Sequence, residues 1–213
     1  QAAFLVNGQK GLADAAGIGA IAAKKGAPIL FTSNSRLEAT RSDLGQLGID
    51  NVYVIGGNLS LVGEFDRIAT SVERIAGSNR QETSLKMMNK FNPNPAVVYL
   101  TDDGGVRANR LIDAVLINSG IIASNAQASA SDKGVEQVGP GKSSKPSNLA
   151  EGAVLLVNSN NGLSFNQYKT LYNMSSLTGL TQVSGGDALT NSMGILSNLM
   201  QNKGNAKADQ AFD

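Results

Sequence analysis

Cysteine, histidine and tryptophan are all missing from the 213 residues of this chain, and aromatic residues make up only 5% of it. Without cysteine or histidine there is no thiol nucleophile, no Ser-His-Asp triad and no thiolate or imidazole metal site. A carboxylate-only site for a hard cation stays open. The shortage of aromatics removes the flat platforms on which bases or sugar rings stack. Charge is scarce too: 16% of residues are charged and the net charge is +1. That balance gives no electrostatic footprint for nucleic acid or an anionic membrane. No apolar run approaches the roughly 20 residues that span a bilayer, so no membrane insertion is expected. The lack of cysteine suits an exported bacterial protein that folds without disulfides. Position 1 is Gln rather than Met, which reads as a mature or excised fragment whose signal peptide has gone.

What remains is a chain with 41% hydrophobic residues, long enough to bury a real core in one large or two small domains. Short apolar runs alternate with helical patterns. AFLVN (3–7) reads as a strand, 12–25 as a helix stopped by Gly26 and Pro28, and PILFT (28–32) as a second strand. A polar helix follows near 36–47, then the strand NVYVI (51–55), then Gly56-Gly57 and a helix near 60–71. This order predicts parallel β-α-β units with right-handed crossovers, their strands covered on both faces.

The order then recurs. After the breaker-rich Asn92-Pro93-Asn94-Pro95, AVVYL (96–100) answers AFLVN, and Asp113-Ala114 answers Asp14-Ala15. AVLLVNSNN (153–161) answers PILFTSNS, and Gly185-Gly186 answers Gly56-Gly57. The sequence therefore predicts a tandem α/β repeat, one unit over 1–93 and a second over 94–213. An insertion over 123–150, rich in Ser, Gly, Lys and Pro, is expected as a mobile surface excursion.

Gly17-Ile18-Gly19-Ala20-Ile21-Ala22 fits the G-x-G-x-x-G/A spacing of a dinucleotide fingerprint. A working fingerprint follows its strand directly, with its glycines in the strand-to-helix turn. These lie inside the helical pattern, well past Asn7, so they are read as a close-packing surface, and no cofactor is expected. The turn in the phosphate position is Gly8-Gln9-Lys10-Gly11, where a helix N-terminus and a lysine could hold an anion. Its counterpart, Thr101-Asp102-Asp103-Gly104-Gly105, has two acids instead, which argues against a shared anion site. Asp102 and Asp103 are expected as solvated turn acids, with a Mg²⁺ or Ca²⁺ site as the alternative.

G-L-A-D-A-A…A-A-K-K-G-A-P-I-L-F, then N-V-Y-V-I-G-G, then E-R-I-A-G-S-N-R-Q-E-T-S together resemble one cell-wall-binding type 2 repeat. Such repeats occur in surface proteins of clostridia and related Gram-positive bacteria. The resemblance covers 3–91; over 96–202 it is degenerate, keeping D-A, V-L-L-V and G-G but losing the R-I-x-G-x-x-R-x-E-T segment. Phe31, Asn79 and Gln81 depart from the family pattern, which has Leu, Asp and Tyr there.

The resemblance implies Rossmann-like units that usually come in threes, packed as a three-sided prism. It implies a non-catalytic surface module that anchors a secreted protein to an anionic cell-wall polysaccharide or teichoic-acid-like polymer. By the same resemblance, Pro28, Ile29 and Leu30 are polymer-contacting candidates, with Arg74 and Arg80 supplying positive charge. A third repeat or another subunit is the implied partner. From the residues themselves, Ile29 and Leu30 read as core, and Arg80 as a local partner of Glu82. Two other functions stay open: a structural or adhesive module that kept the fold without wall binding, and an α/β enzyme or small-ligand receptor.

Overall fold

The computed structural model describes residues 1–132 and 152–203. The chain runs β1 (Ala2–Asn7), α1 (Leu12–Lys25), β2 (Ile29–Thr32), α2 (Leu37–Gln46), β3 (Asn51–Ile55), β4 (Ser71–Ile75) and α3 (Arg80–Phe91). It continues through β5 (Val97–Asp102), α4 (Leu111–Asp132), β6 (Gly152–Val157), α5 (Phe165–Asn173), β7 (Gly179–Gln182) and α6 (Asp187–Gln201). The strands form two sheets, ordered β2-β1-β3-β4 and β6-β5-β7, and every pairing is parallel.

The two sheets share a plan. β3 pairs with β1 on the side away from β2, and β7 pairs with β5 on the side away from β6. Gly56 and Gly185, which follow these strands, both have positive φ, at 95° and 129°. The tandem α/β architecture expected from the recurring sequence is therefore present. β4 has no counterpart among the described strands of the second sheet.

Both faces of each sheet are covered, which is why the strands are continuous apolar runs rather than alternating ones. In β1, Ala3 and Leu5 pack with Leu44, Val52 and Phe65, while Phe4 and Val6 pack on the other face with Ile18 of α1 and Met87 of α3. In the second sheet Leu100, Leu155 and Val157 meet Leu85 and Met88 of α3 and Leu171, Leu189 and Leu196 of α5 and α6. Its opposite face places Val154 and Leu156 against Ala13 and Ala16 of α1 and Ala114 and Ile121 of α4. So α1 and α3 each touch both sheets.

β6 lies at a sheet edge, where unpaired backbone groups must find partners. Side chains supply them: Leu156 N–H donates to Ser84 Oγ at 3.0 Å, and Gln167 Nε2 donates to Leu156 C=O at 2.8 Å. Ser84 belongs to α3, so this edge is closed from the first repeat.

The mid-helix glycines of α1 are packing positions, as the sequence predicts. A Cβ at Gly17 would stand 3.7 Å from Leu156 Cδ1, and one at Gly19 3.2 Å from Asn118 Cβ. The missing side chain at Gly19 lets α4 lie directly on α1, while Gly17 faces β6 and α3.

Two expectations fail. The helix expected over 60–71 is only a 3-10 turn, Gly63–Arg67, followed by the strand β4. Leu61, Phe65 and Ile68 are buried at helical spacing, which explains the misreading. The segment instead bonds outward: Val62 N–H to Asn34 Oδ1 at 3.0 Å, and Val62 C=O from Arg74 Nη2 at 3.0 Å. Second, α4 continues to Asp132, so 123–132 is helix rather than surface excursion. The rest of the expected insertion, 133–150, lies outside the described residues.

Candidate functional site

The carboxyl ends of the first sheet's strands gather a polar cluster. In an open parallel sheet this end, where the strand order reverses beside β1, is where ligands bind. Asn7 closes β1 and organises the turn after it. Its Oδ1 accepts from Gln9 N–H and Lys10 N–H, both at 2.8 Å, and its Nδ2 donates to Ser60 C=O at 2.8 Å. Gly8 N–H is bound to Thr32 C=O and Gly11 N–H to Asn7 C=O. All four N–H groups of the Gly8–Gly11 turn are thus occupied internally, and the turn is not an anion nest.

In the first turn of α1 stands Asp14, which keeps only 7% of its surface exposed. No hydrogen bond to its carboxyl is found among the described residues. Burial raises its pKa from 3.8 to about 6, and the opposite charge of Arg80 works against that rise. The loop after β3 folds over it: a Cβ at Gly56 would lie 2.9 Å from Asp14 Oδ2. No side chain caps the N-terminus of α1, whose N-cap residue is Gly11.

Arg80 opens α3, the helix capped by Asn79 through Glu82 N–H. Arg80 is exposed, and among the described residues its guanidinium donates one bond, from Nη1 to Asp103 C=O at 3.1 Å. The pairing with Glu82 is absent. Glu82 accepts instead from Ser164 Oγ and Asn166 Nδ2, each at 3.1 Å. Arg80 therefore bridges to the second sheet with donors to spare.

Arg74 is differently placed. From β4 its Nε reaches Asp66 Oδ1 at 2.6 Å, its Nη1 Gly56 C=O at 2.8 Å and its Nη2 Val62 C=O at 3.0 Å. It ties the 56–66 loop to the sheet. The two arginines, six residues apart in sequence, have separate partners. Pro28 is exposed just before β2, and Ile29 and Leu30 are half-buried in that edge strand rather than fully core. Leu30 packs towards α2 and Ile29 towards α1.

The acids at the end of β5 are buried and hydrogen-bonded, not solvated. Asp102 accepts from Gly104 N–H at 2.7 Å and Ser159 Oγ at 2.5 Å; Asp103 accepts from Gly105 N–H at 2.8 Å and from Gln81 Nε2. Among the described residues no group of three or more acids is arranged to hold a metal ion. Gln81, where the repeat pattern has Tyr, is thus an inter-sheet contact that sequence reasoning did not single out.

A cavity of about 340 Å³ lies at the other end, between α1, α3, α4 and the start of β6. Lys24, Lys25, Asn92 and Asn94 are among its lining residues, and among the described residues no Asp, Glu or Arg lines it.

Comparison with known proteins gives this geometry a context. Residues 1–64 match the family profile described as Cell wall binding domain 2. Over 91 residues the chain is 36% identical to N-acetylmuramoyl-L-alanine amidase LytC of Bacillus subtilis (strain 168), covering 42% of this chain and 18% of that protein. Among solved structures, Cwp8 from Clostridium difficile aligns over 94% of this chain and 30% of its own length, with a TM-score of 0.65 and 24% identity. Cwp6 from the same organism aligns over 92% and 27%, with a TM-score of 0.63 and 19% identity. The two structural likenesses show the fold. The chain spans less than a third of any of these relatives. The likeness to the cell-wall-binding type 2 repeat family is thus shown over residues 1–64 of the chain.

Proposed function

We propose that this chain is a non-catalytic module that holds a secreted protein at the Gram-positive cell surface by binding an anionic wall polymer. The observation that carries the reading is Arg80, an exposed guanidinium with one internal hydrogen bond, set where the strands end. A guanidinium with open donors is a planar fork for phosphate or carboxylate. Pro28, Ile29 and Leu30 offer the polymer an edge strand of the same sheet. Arg74 contributes by fixing the loop beside the site, because its own donors are engaged.

A third α/β unit, or another subunit, completes the assembly on α4. Ile112, Val115, Leu116 and Ile122 form an exposed apolar stripe on that helix. A helix that is apolar on both its faces belongs in an interior, and α1 already covers the other face.

The test is retention on purified Gram-positive cell walls, before and after removal of their anionic polymers, at two salt concentrations. Wild type is expected to bind only intact walls, and less at high salt. Arg80→Ala is expected to weaken retention by roughly ten- to a hundredfold, the worth of one or two charge-assisted contacts. Unchanged retention in Arg80→Ala sinks the arginine site.

A further inference from the structure

We propose that the cavity between α1, α3, α4 and the start of β6 binds a small amphiphilic organic anion, its charged head held by Lys24 and Lys25 and its apolar body in the seam between the two repeats. This site is separate from the Arg80 site, which stands at the opposite ends of the strands.

The cavity has a sorted lining. Met88, Ile121, Ala153 and Val154 are buried and make its floor, while Lys24, Lys25 and Asn94 are exposed and mark its mouth. Its volume of about 340 Å³ is that of a small-molecule site, and interfaces between packed units are where such sites concentrate. The polar groups inside offer little to a hydroxylated ligand. Asn118 spends both atoms of its amide on the seam, accepting from Ala20 N–H and donating to Ala16 C=O and Ala114 C=O. Asn92 Nδ2 donates to Gly152 C=O at 3.3 Å. A sugar ring would therefore bury hydroxyls without partners, a cost that an apolar body avoids.

The mouth carries charge of one sign. No ion pair of Lys24 or Lys25 is found among the described residues, whereas Lys90 has Glu73 at 2.8 Å. Aromatic rings rather than an acid position Lys25. Its Nζ stands 5.2 Å from the ring centre of Phe91, which lines the cavity, and 5.6 Å from that of Tyr53. An ammonium has three donors, and a contact with a ring face leaves them for a ligand. The carbonyls at the end of α1 that would repel an anion are covered: Ala22 C=O and Ala23 C=O accept from Ala27 N–H and Gly26 N–H, each at 3.0 Å. Lysines in a last helical turn also offset the helix dipole, a role that needs neither cavity nor ligand.

Hexanoate, acetate and hexan-1-ol divide the head from the body, since acetate keeps the carboxylate alone and hexan-1-ol the chain alone. Amide chemical-shift titrations of the whole chain with each probe give the affinity and the place of binding. Wild type is expected to bind hexanoate with shifts centred on Ile21, Gly152 and Ala153. One buried methylene is worth about fourfold in affinity, so hexanoate is expected to exceed acetate by about tenfold or more. Through the two cations it is expected to exceed hexan-1-ol by about fivefold or more. The surface double variant Lys24→Gln/Lys25→Gln is expected to abolish the preference over hexan-1-ol and to leave hexan-1-ol itself unaffected. A role confined to the helix dipole does not produce that split. Ala20→Leu, which fills the cavity, is expected to weaken hexanoate and hexan-1-ol alike; should it not fold, the lysine variant decides. Hexanoate no tighter than acetate, a preference that survives the loss of both lysines, shifts centred away from the cavity, or no saturable shift with hexanoate overturns the site.

Discussion

The side-chain amide of Asn118 spans one turn of a neighbouring helix, accepting from Ala20 N–H at 3.0 Å while its Nδ2 donates to Ala16 C=O at 2.8 Å. Nδ2 also reaches Ala114 C=O of its own helix at 2.9 Å, so the amide is fully engaged in a buried seam. Asn118→Ala is expected to destabilise by about 2–3 kcal/mol, through lost hydrogen bonds and a small cavity. Gly19→Val, which pushes a branched side chain into Asn118, is expected to cost about 1–3 kcal/mol. Urea denaturation followed by circular dichroism measures both, and a neutral Gly19→Val would mean that α4 can stand off from α1.

Gly56 and Gly26 provide a controlled comparison. Both have positive φ, but nothing lies within 4 Å of a Cβ at Gly26, whereas one at Gly56 meets Asp14 Oδ2. Gly26→Ala is expected to cost about 1 kcal/mol from backbone strain alone. Gly56→Ala is expected to cost more, roughly 2–3 kcal/mol. The excess should shrink when Asp14 is also replaced by Ala, which a double-mutant cycle reads directly.

Stability should vary with pH through Asp14. The folded chain holds that proton up to about pH 6, whereas an ordinary Asp releases it near 3.8. Between those values the native state binds more protons than the unfolded state, so stability falls as pH rises through the window and the penalty is complete above it. The difference corresponds to roughly 3 kcal/mol at most. Asp14→Asn lacks this penalty and is expected to overtake wild type as pH increases from 4 to 7. Parallel urea midpoints for the two proteins across that range would contradict the buried, unpartnered carboxyl.

Arg74 and Asp66 form an ion pair with unequal partners. The Arg74 side chain is 16% exposed and that of Asp66 45%. Loss of the arginine leaves two carbonyls without donors, while loss of the aspartate leaves a cation that water can still reach. Arg74→Ala is expected to cost about 2–3 kcal/mol and Asp66→Ala under about 1 kcal/mol. Equal costs would assign the stabilisation to the ion pair rather than to the loop clamp.

The apolar stripe on α4 should govern association. Leu116 is 61% exposed. If that face is a docking surface, the isolated chain will self-associate at high concentration, and Leu116→Glu will suppress this without lowering the unfolding midpoint. Sedimentation velocity over a concentration series checks it; a monomeric wild type at all concentrations counts against the docking surface.

Strands β1 to β3 and helices α1 and α2 of the first repeat were legible because each run had a clear period and a glycine or proline stop. Helix α1 was read at its observed limits, closed by Gly26 in the left-handed conformation. β4 was not legible, since SVERI has only Val72 and Ile75 to bury and sits at an edge. Its identity depends on β3 pairing beside it, a contact distant in sequence. The site was partly legible. Arg80 was singled out, but its partner across the sheets, Asp103, lies 23 residues away. Nothing local in A-D-A reveals that a glycine turn from 42 residues later (Gly56) closes on Asp14.

Helix α3 gives Met87 to the core of the first sheet and Leu85 and Met88 to that of the second, and its Ser84 closes the β6 edge. The period of duplication in the sequence is therefore not the period of cooperativity. A cut at Asn92 separates two copies of a motif, yet it takes from the second copy a wall of its interior and leaves an edge strand open to pair with whatever it meets. In this chain the first unit hands its last helix to the second, so replacing the first unit alone would also rebuild the interior of the second.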